Sequence, residues 1–231
     1  MASTGTTTFA LSLNEMAEEA MERASGGTRE LRSGYDFRTA RRSLNMLLIE
    51  WANRGINLWT LESGTIPLLA GVAEYDIPAD TVDLVETLVR QNNGVSATQT
   101  DLTISRISVS TYAAIPNKLT TGRPLQLLVR REVVQPKVLV WPLPQDNSYT
   151  LYYWRLRRIE DAGNGANTPD VPYRLLPPLV AGLAYYIAMK IPEGAPLLQV
   201  LKAEYDSQWD MASSEDRDKA PVRFVPRRAS I

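Results

Sequence analysis

The chain has 231 residues but no cysteine and no histidine. Without cysteine there is no disulfide scaffold and no thiolate metal site. Without histidine the commonest general base, the Ser-His-Asp relay and the commonest zinc ligand are all missing, so an enzyme would have to work with carboxylates, Lys or Tyr. A net charge of −1 supplies no global attraction for nucleic acid or anionic membrane. Long apolar runs are also lacking: residues 179–189 form the longest, about half of the ~20 residues a membrane span needs. Met-Ala-Ser-Thr-Gly-Thr-Thr-Thr at the start has no basic stretch followed by an apolar one, so no signal peptide is expected.

Chemical motifs are equally scarce. Neither a Gly-x-x-x-x-Gly-Lys-Ser/Thr phosphate loop nor Gly-x-Ser-x-Gly occurs. Neighbouring carboxylates, Glu18-Glu19 and Asp83 with Glu86, read as solvated surface pairs. In the loop at 161–170, Gly163 and Gly165 stand where a calcium loop needs oxygen ligands, and the loop reads as a connector. The expectation is a protein that is not an enzyme and has no cofactor and no metal site.

What is present is an ordinary globular composition, 44% hydrophobic and 22% charged, which suffices for a real core. Ser12 and Glu15 fit a capping box at the start of a helix reaching about Ala24, with Leu13, Met16, Ala17, Ala20 and Met21 inward and Gly26-Gly27 at its end. A longer helix is expected over 36–55, with Asp36 as N-cap and Gly55 as stop. Phe37, Ala40, Leu44, Leu47, Leu48 and Trp51 share its inner face, while Arg38, Arg41, Arg42 and Asn45 fall outside that stripe. Leu58 and Trp59 should then open an extended stretch.

From there to about Arg158 the chain is rich in Val, Ile, Leu, Thr and Tyr in short pieces. Turn signals at Ser63-Gly64, Ala70-Gly71, Asn93-Gly94 and Thr121-Gly122 separate them. Strands are expected at 85–91, 124–131, 137–141 and 149–158, with a short helix within 107–115. In the last strand Tyr149, Leu151 and Tyr153 alternate with Thr150, Tyr152 and Trp154. Both of its faces are bulky, so it should be covered on both sides or packed on a neighbouring subunit.

Helices return with Pro177-Pro178 in the first turn of a central, almost wholly apolar helix. A last helix follows, with Leu198, Leu201, Tyr205 and Trp209 inward. The fold class is α+β: a helical bundle from the N- and C-terminal helices with an inserted antiparallel β domain. The expected divisions are 1–56, 57–158, 159–212 and an extended tail, 213–231. That tail is polar and buries little alone, but it carries Val222, Phe224 and Val225 among Arg223, Arg227 and Arg228. Such a segment can order on a partner by inserting its apolar anchors.

Arg41-Arg42-Ser43-Leu44-Asn45, followed by Glu50-Trp51-Ala52-Asn53-Arg54-Gly55-Ile56-Asn57-Leu58-Trp59, resembles the opening signature of the head-to-tail adaptor proteins of tailed bacteriophages. Tyr112-Ala113-Ala114-Ile115-Pro116-Asn117-Lys118, Gly122-Arg123-Pro124, Val140-Trp141-Pro142 with Pro144, Tyr149-Thr150-Leu151 and Pro172-Tyr173 are similar to the same group. The resemblance covers about residues 13–210. It implies a structural component of the virion neck, assembled in the host bacterial cytoplasm. It also implies a homo-oligomeric ring, commonly of about twelve copies, with the portal protein on one side and a tail tube or nozzle protein on the other. Double-stranded DNA would pass through the bore without sequence recognition, and no membrane is involved. An extended C-terminal segment in related adaptors docks on the portal, which would give Val222, Arg223, Phe224, Val225, Arg227 and Arg228 a role. Arg38, Arg41, Arg42, Tyr152 and Trp154 are the expected subunit contacts. A tail-tube or nozzle subunit, or a carbohydrate-binding β module using Trp59, Trp141 and Trp154, stand as alternatives.

Overall fold

A computed structural model describes residues 5, 7, 9–28, 30, 33–55 and 58–215. In chain order the elements are α1 (Leu13–Ser25), α2 (Gly34–Arg54), β1 (Leu61–Pro67), β2 (Glu74–Asp76), β3 (Thr81–Gln91), β4 (Thr100–Thr103) and β5 (Ser105–Arg106). Then come α3 (Val109–Ala113), β6 (Thr121–Gly122), β7 (Gln126–Arg130), β8 (Lys137–Trp141), β9 (Leu143–Pro144), β10 (Tyr149–Arg157), α4 (Leu176–Ala188) and α5 (Leu198–Glu215). Two compact units result. Thr60–Arg158 forms one, and the chain before and after it forms the other. The class is α+β.

Capping chemistry starts the first two helices. Ser12 Oγ accepts the Glu15 N–H at 3.3 Å, and the Glu15 carboxylate accepts the Ser12 N–H at 2.7 Å. The start of α2 repeats the device one turn earlier than expected. Ser33 is its N-cap, accepting the Asp36 N–H at 3.1 Å, and the Asp36 carboxylate accepts the Ser33 N–H at 3.2 Å. Asp36 is therefore the third helical residue and not the cap. The reciprocal pair satisfies two orphan donors where Asp36 alone would satisfy one. At the other end Gly55 adopts φ 79°, the left-handed conformation that ends the helix without a Cβ clash. Leu58–Thr60 is a single 3-10 turn and not the start of a strand. Trp59 sits in that turn because its ring packs on the helical core and its Nε1 donates to the Asp170 carbonyl at 3.0 Å.

The helical unit is organised on α4. Pro177 and Pro178 occupy its first turn, where their missing N–H groups have no helical partner to lose. Leu179, Val180, Leu183, Ala184 and Ile187 are all buried, and α1, α2 and α5 pack against the helix that carries them. Gly182 allows the closest approach: a methyl group there would lie 2.9 Å from both Leu47 and Tyr205. α5 continues to Glu215, past the point where the tail was expected to begin. Ser213 and Ser214 in its last turn donate their hydroxyls back to the Asp210 and Met211 carbonyls, at 3.3 and 2.8 Å.

The β unit has two four-stranded sheets, β1-β10-β3-β4 and β2-β8-β7-β5, and a small β6-β9 pair. The first sheet is antiparallel throughout; β5 with β7 and β6 with β9 are parallel. Residues from both large sheets, among them Val89, Leu151 and Tyr153 from one and Leu127, Val138 and Val140 from the other, share one core. The first and last strands of the unit are paired, with Leu61 opposite Leu156.

Three expected turns lie elsewhere in this pattern, one of them Thr121-Gly122, which is strand β6 paired with β9. Ser63-Gly64 falls inside β1, opposite Trp154 and Tyr153. Gly64 is needed there because a Cβ would collide with the Tyr153 ring. The β3–β4 connection spans 92–99 and is no two-residue hairpin, although Asn92 (φ 54°) and Gly94 (φ 83°) do supply its left-handed positions.

Candidate interaction surfaces

The outer face of α2 is the first surface. Arg38, Arg41 and Arg42 are all exposed, but they are not equivalent. Arg41 lies at the edge of the inward stripe and donates to the Gly163 carbonyl at 3.1 Å, tying α2 to the 161–170 connector. Arg38 and Arg42 lie farther round. At 3.6 residues per turn they share a face with Tyr35, Met46 and Ile49, which are 64%, 57% and 55% exposed. Three large apolar side chains opposite a packed core stripe form a second stripe, with no partner among the described residues. Tyr, Met and Arg are the residues that protein interfaces favour. Tyr35, Met46 and Ile49 are not among the contacts expected from sequence, where the charges dominate this face. Their shared helical phase is the signal that would have found them.

The second surface belongs to β10. Tyr149, Leu151 and Tyr153 face the core and are at most 4% exposed. Tyr152 and Trp154 face the other way, beside Leu88 and Glu86 of β3 and Thr65 and Ser63 of β1. Among the described residues nothing is seen to pack over this face: Tyr152 is half-buried and Trp154 is 37% exposed. Tyr152 is held rigidly, with its hydroxyl donating to Asn93 Oδ1 at 3.0 Å and the Arg90 guanidinium 4.0 Å over its ring. Arg90 is in turn fixed by two hydrogen bonds to Asp101, at 2.6 and 2.9 Å. Trp141 belongs to the other large sheet, where its Nε1 donates to the Asn117 carbonyl. Trp59 is committed to the helical core, so it contributes nothing to an aromatic sugar platform.

Several other arginines bond internal partners. Arg155, 9% exposed, bonds Glu62 at 2.8 Å and Thr81 at 3.0 Å and pairs with Asp80. Arg157 takes the second Glu62 oxygen at 2.7 Å. The Arg155 hydrogen bond holds the Asp80 carboxyl below its usual range. Asp83 similarly accepts from Arg106 at 2.8 Å and pairs with Arg131. These networks stitch strands together; none leaves its arginines poised for phosphate.

In the helical unit, Glu50 collects hydrogen bonds from Tyr186 at 2.7 Å and Tyr205 at 3.3 Å and an ion pair from Arg54. Trp51 Nε1 donates to the Tyr205 hydroxyl at 2.9 Å. Burial, then the hydrogen bond to Glu50, pushes the Tyr186 phenol up from 10.0 to about 12, and burial raises Tyr205 further. A phenol with a raised folded pKa stabilises the fold fully below its unfolded value, and that contribution is lost as pH climbs through the folded one. Stability should therefore fall between about pH 10 and 12. Tyr186→Phe should flatten that fall, as denaturant unfolding at a series of pH values would read; an unchanged slope would deny Tyr186 the role.

Val222, Arg223, Phe224, Val225, Arg227 and Arg228 lie outside the described residues. Among the described residues no cluster of His, Cys, Asp or Glu could hold a metal, and no helix is long and apolar enough to cross a membrane.

The described residues thus form two self-contained cores with exposed aromatic, Arg and Met side chains on α2 and β10. Residues 11–227 match the model of the SU10 adaptor protein family. The chain belongs to that family and is a bacteriophage adaptor protein. No curated protein matches it. The matched span reaches farther than the motif resemblance, taking in Val222, Arg223, Phe224, Val225 and Arg227 and stopping before Arg228.

Proposed function

We propose that this protein is the head-to-tail adaptor of a virion neck. It closes into a homo-oligomeric ring beneath the portal, meets a tail tube or nozzle protein on its other side and passes double-stranded DNA. The observation that carries this reading is membership of an adaptor family over residues 11–227.

Two further features support it. A ring subunit needs side surfaces that bind other copies and close by rotation. The α2 stripe of Tyr35, Arg38, Arg42, Met46 and Ile49 and the open β10 face of Tyr152 and Trp154 are surfaces of that kind. A net charge of −1 suits a bore that conducts DNA, because dense phosphate binding would retain it. The tail residues Val222, Phe224 and Val225, with their arginines, are the portal-docking element. The protein is made in the host cytoplasm and ends in the virion neck.

Negative-stain imaging of the purified protein, alone and mixed with portal, tests this reading. Rings, or an added layer beneath portal rings, are expected. Met46→Glu combined with Trp154→Glu should abolish ring closure and leave the monomer folded. A protein that never associates with portal would overturn the proposal.

A further inference from the structure

A groove of about 880 Å³ runs along the helical unit between α1 and the start of α4. Its walls include Phe9, Leu11, Tyr173, Pro177 and Val180. Phe9 and Tyr173 stand 68% and 63% exposed, with ring centroids 5.9 Å apart. An apolar trench of this size is costly to leave in water. Neither the α2 stripe nor the β10 face includes any of it.

The course of the chain indicates what fills it. α4 and α5 pack along one another and are joined by the short 3-10 segment Pro192–Leu197, so they run antiparallel. That brings the C-terminal end of α5 to Tyr173–Leu175, against which α5 packs. The chain therefore passes Glu215 beside one end of the groove. Six residues lead from there to Val222, enough to span roughly 20 Å when extended.

Between Pro221 and Pro226 the sequence reads Val-Arg-Phe-Val. The residue before a proline is restrained to extended backbone. In an extended segment Val222 and Phe224 point one way and Arg223 the other. Glu15 lies on the α1 rim of the groove, and its capping bonds use only one carboxylate oxygen. The second oxygen is available to an arginine.

We propose that the groove is the seat of this chain's own segment 221–226, with Val222 and Phe224 inserted between α1 and α4 of the same subunit. The seat is a latch. It covers Phe9 and Tyr173 before assembly and holds the segment in place. If the portal-docking reading given above is right, groove and portal compete for the same side chains, and docking requires the latch to open.

Because the chain has no cysteine, the contact can be tested by introduced pairs in the full-length protein without portal. Val222→Cys, which leaves Phe224 in place, with Pro177→Cys should oxidise to an intramolecular cross-link at least tenfold faster than Val222→Cys with Ile49→Cys on the outer face of α2. Pro177 and Ile49 are both exposed, and circular dichroism of each double variant checks folding. Independently, Phe224→Ser in the intact chain should increase binding of an apolar fluorescent dye several-fold, and adding Tyr173→Glu should remove the increase. Equal cross-linking rates for the two pairs would overturn the latch. So would a cross-link formed only between two chains, which would assign the groove to a second copy, or dye binding indifferent to Phe224. The readouts use no portal, so their failure leaves the adaptor reading standing, and loss of portal binding leaves the latch standing.

Discussion

Trp51→Ala should cost about 3–5 kcal/mol of unfolding free energy. The side chain is fully buried at the centre of the helical core. Its ring lies 5.0 Å from that of Trp209, and the Arg54 guanidinium lies 4.5 Å from the centroid of the Trp209 ring. Truncation to Ala removes most of an indole from a site bounded by three packed helices, which can collapse only partly into the cavity. It also withdraws the donor to the Tyr205 hydroxyl, though that hydroxyl keeps its bond to Glu50. Trp51→Phe separates the two effects, since it fills most of the volume without the N–H and should cost about half as much. Chemical denaturation of the full chain is the measurement. A loss below about 1 kcal/mol for Trp51→Ala would mean that this face of α2 is not core.

Gly182→Leu should be of similar size, about 3 kcal/mol or more, for the opposite reason. The position has no room: the first added carbon would already press on Leu47 from α2 and Tyr205 from α5. Ordinarily a glycine within a helix is a weakness, worth about 1 kcal/mol against alanine, so Gly182→Ala should be partly offset and cost less. Leucine adds three further carbons with nowhere to go. Combining Gly182→Leu with Leu47→Ala should recover a measurable part of the loss, because the two substitutions act on one space. Strict additivity of the two losses would show that the clash is not with Leu47.

The class of the fold was legible because its strongest signals are long and periodic. The inward stripe of α2 from Ala40 to Trp51, the apolar α4 and the β8 segment Lys137–Trp141 all lie where spacing predicts them. Illegible elements are those with too few residues to carry a period. β2, β5, β6 and β9 are two or three residues long and exist only through partners distant in sequence. Glycines misled where tertiary contact and not turn geometry demands them: Gly64 makes space for Tyr153 inside β1. Asp36 by itself reads as a cap; only together with Ser33 does it read as the third residue of a capping box.

Among the candidate contact residues, the structure separates arginines that look identical in sequence. Arg41 bonds a backbone carbonyl of its own subunit, whereas Arg38 and Arg42 stand in an exposed stripe. Tyr152 and Trp154 lie on the open side of β10. Their alternation was readable, but which side stays uncovered depends on where the second sheet packs, and no local pattern encodes that.

The pairing of β1 with β10 has a topological consequence. Leu61 and Leu156 face each other across a ladder, where opposed backbones stand only about 5 Å apart. The excursion from Thr60 to Arg158 thus leaves and rejoins the chain at almost one point. A helical scaffold interrupted in this way is indifferent to the size of what is spliced into it, provided the two splice points stay adjacent.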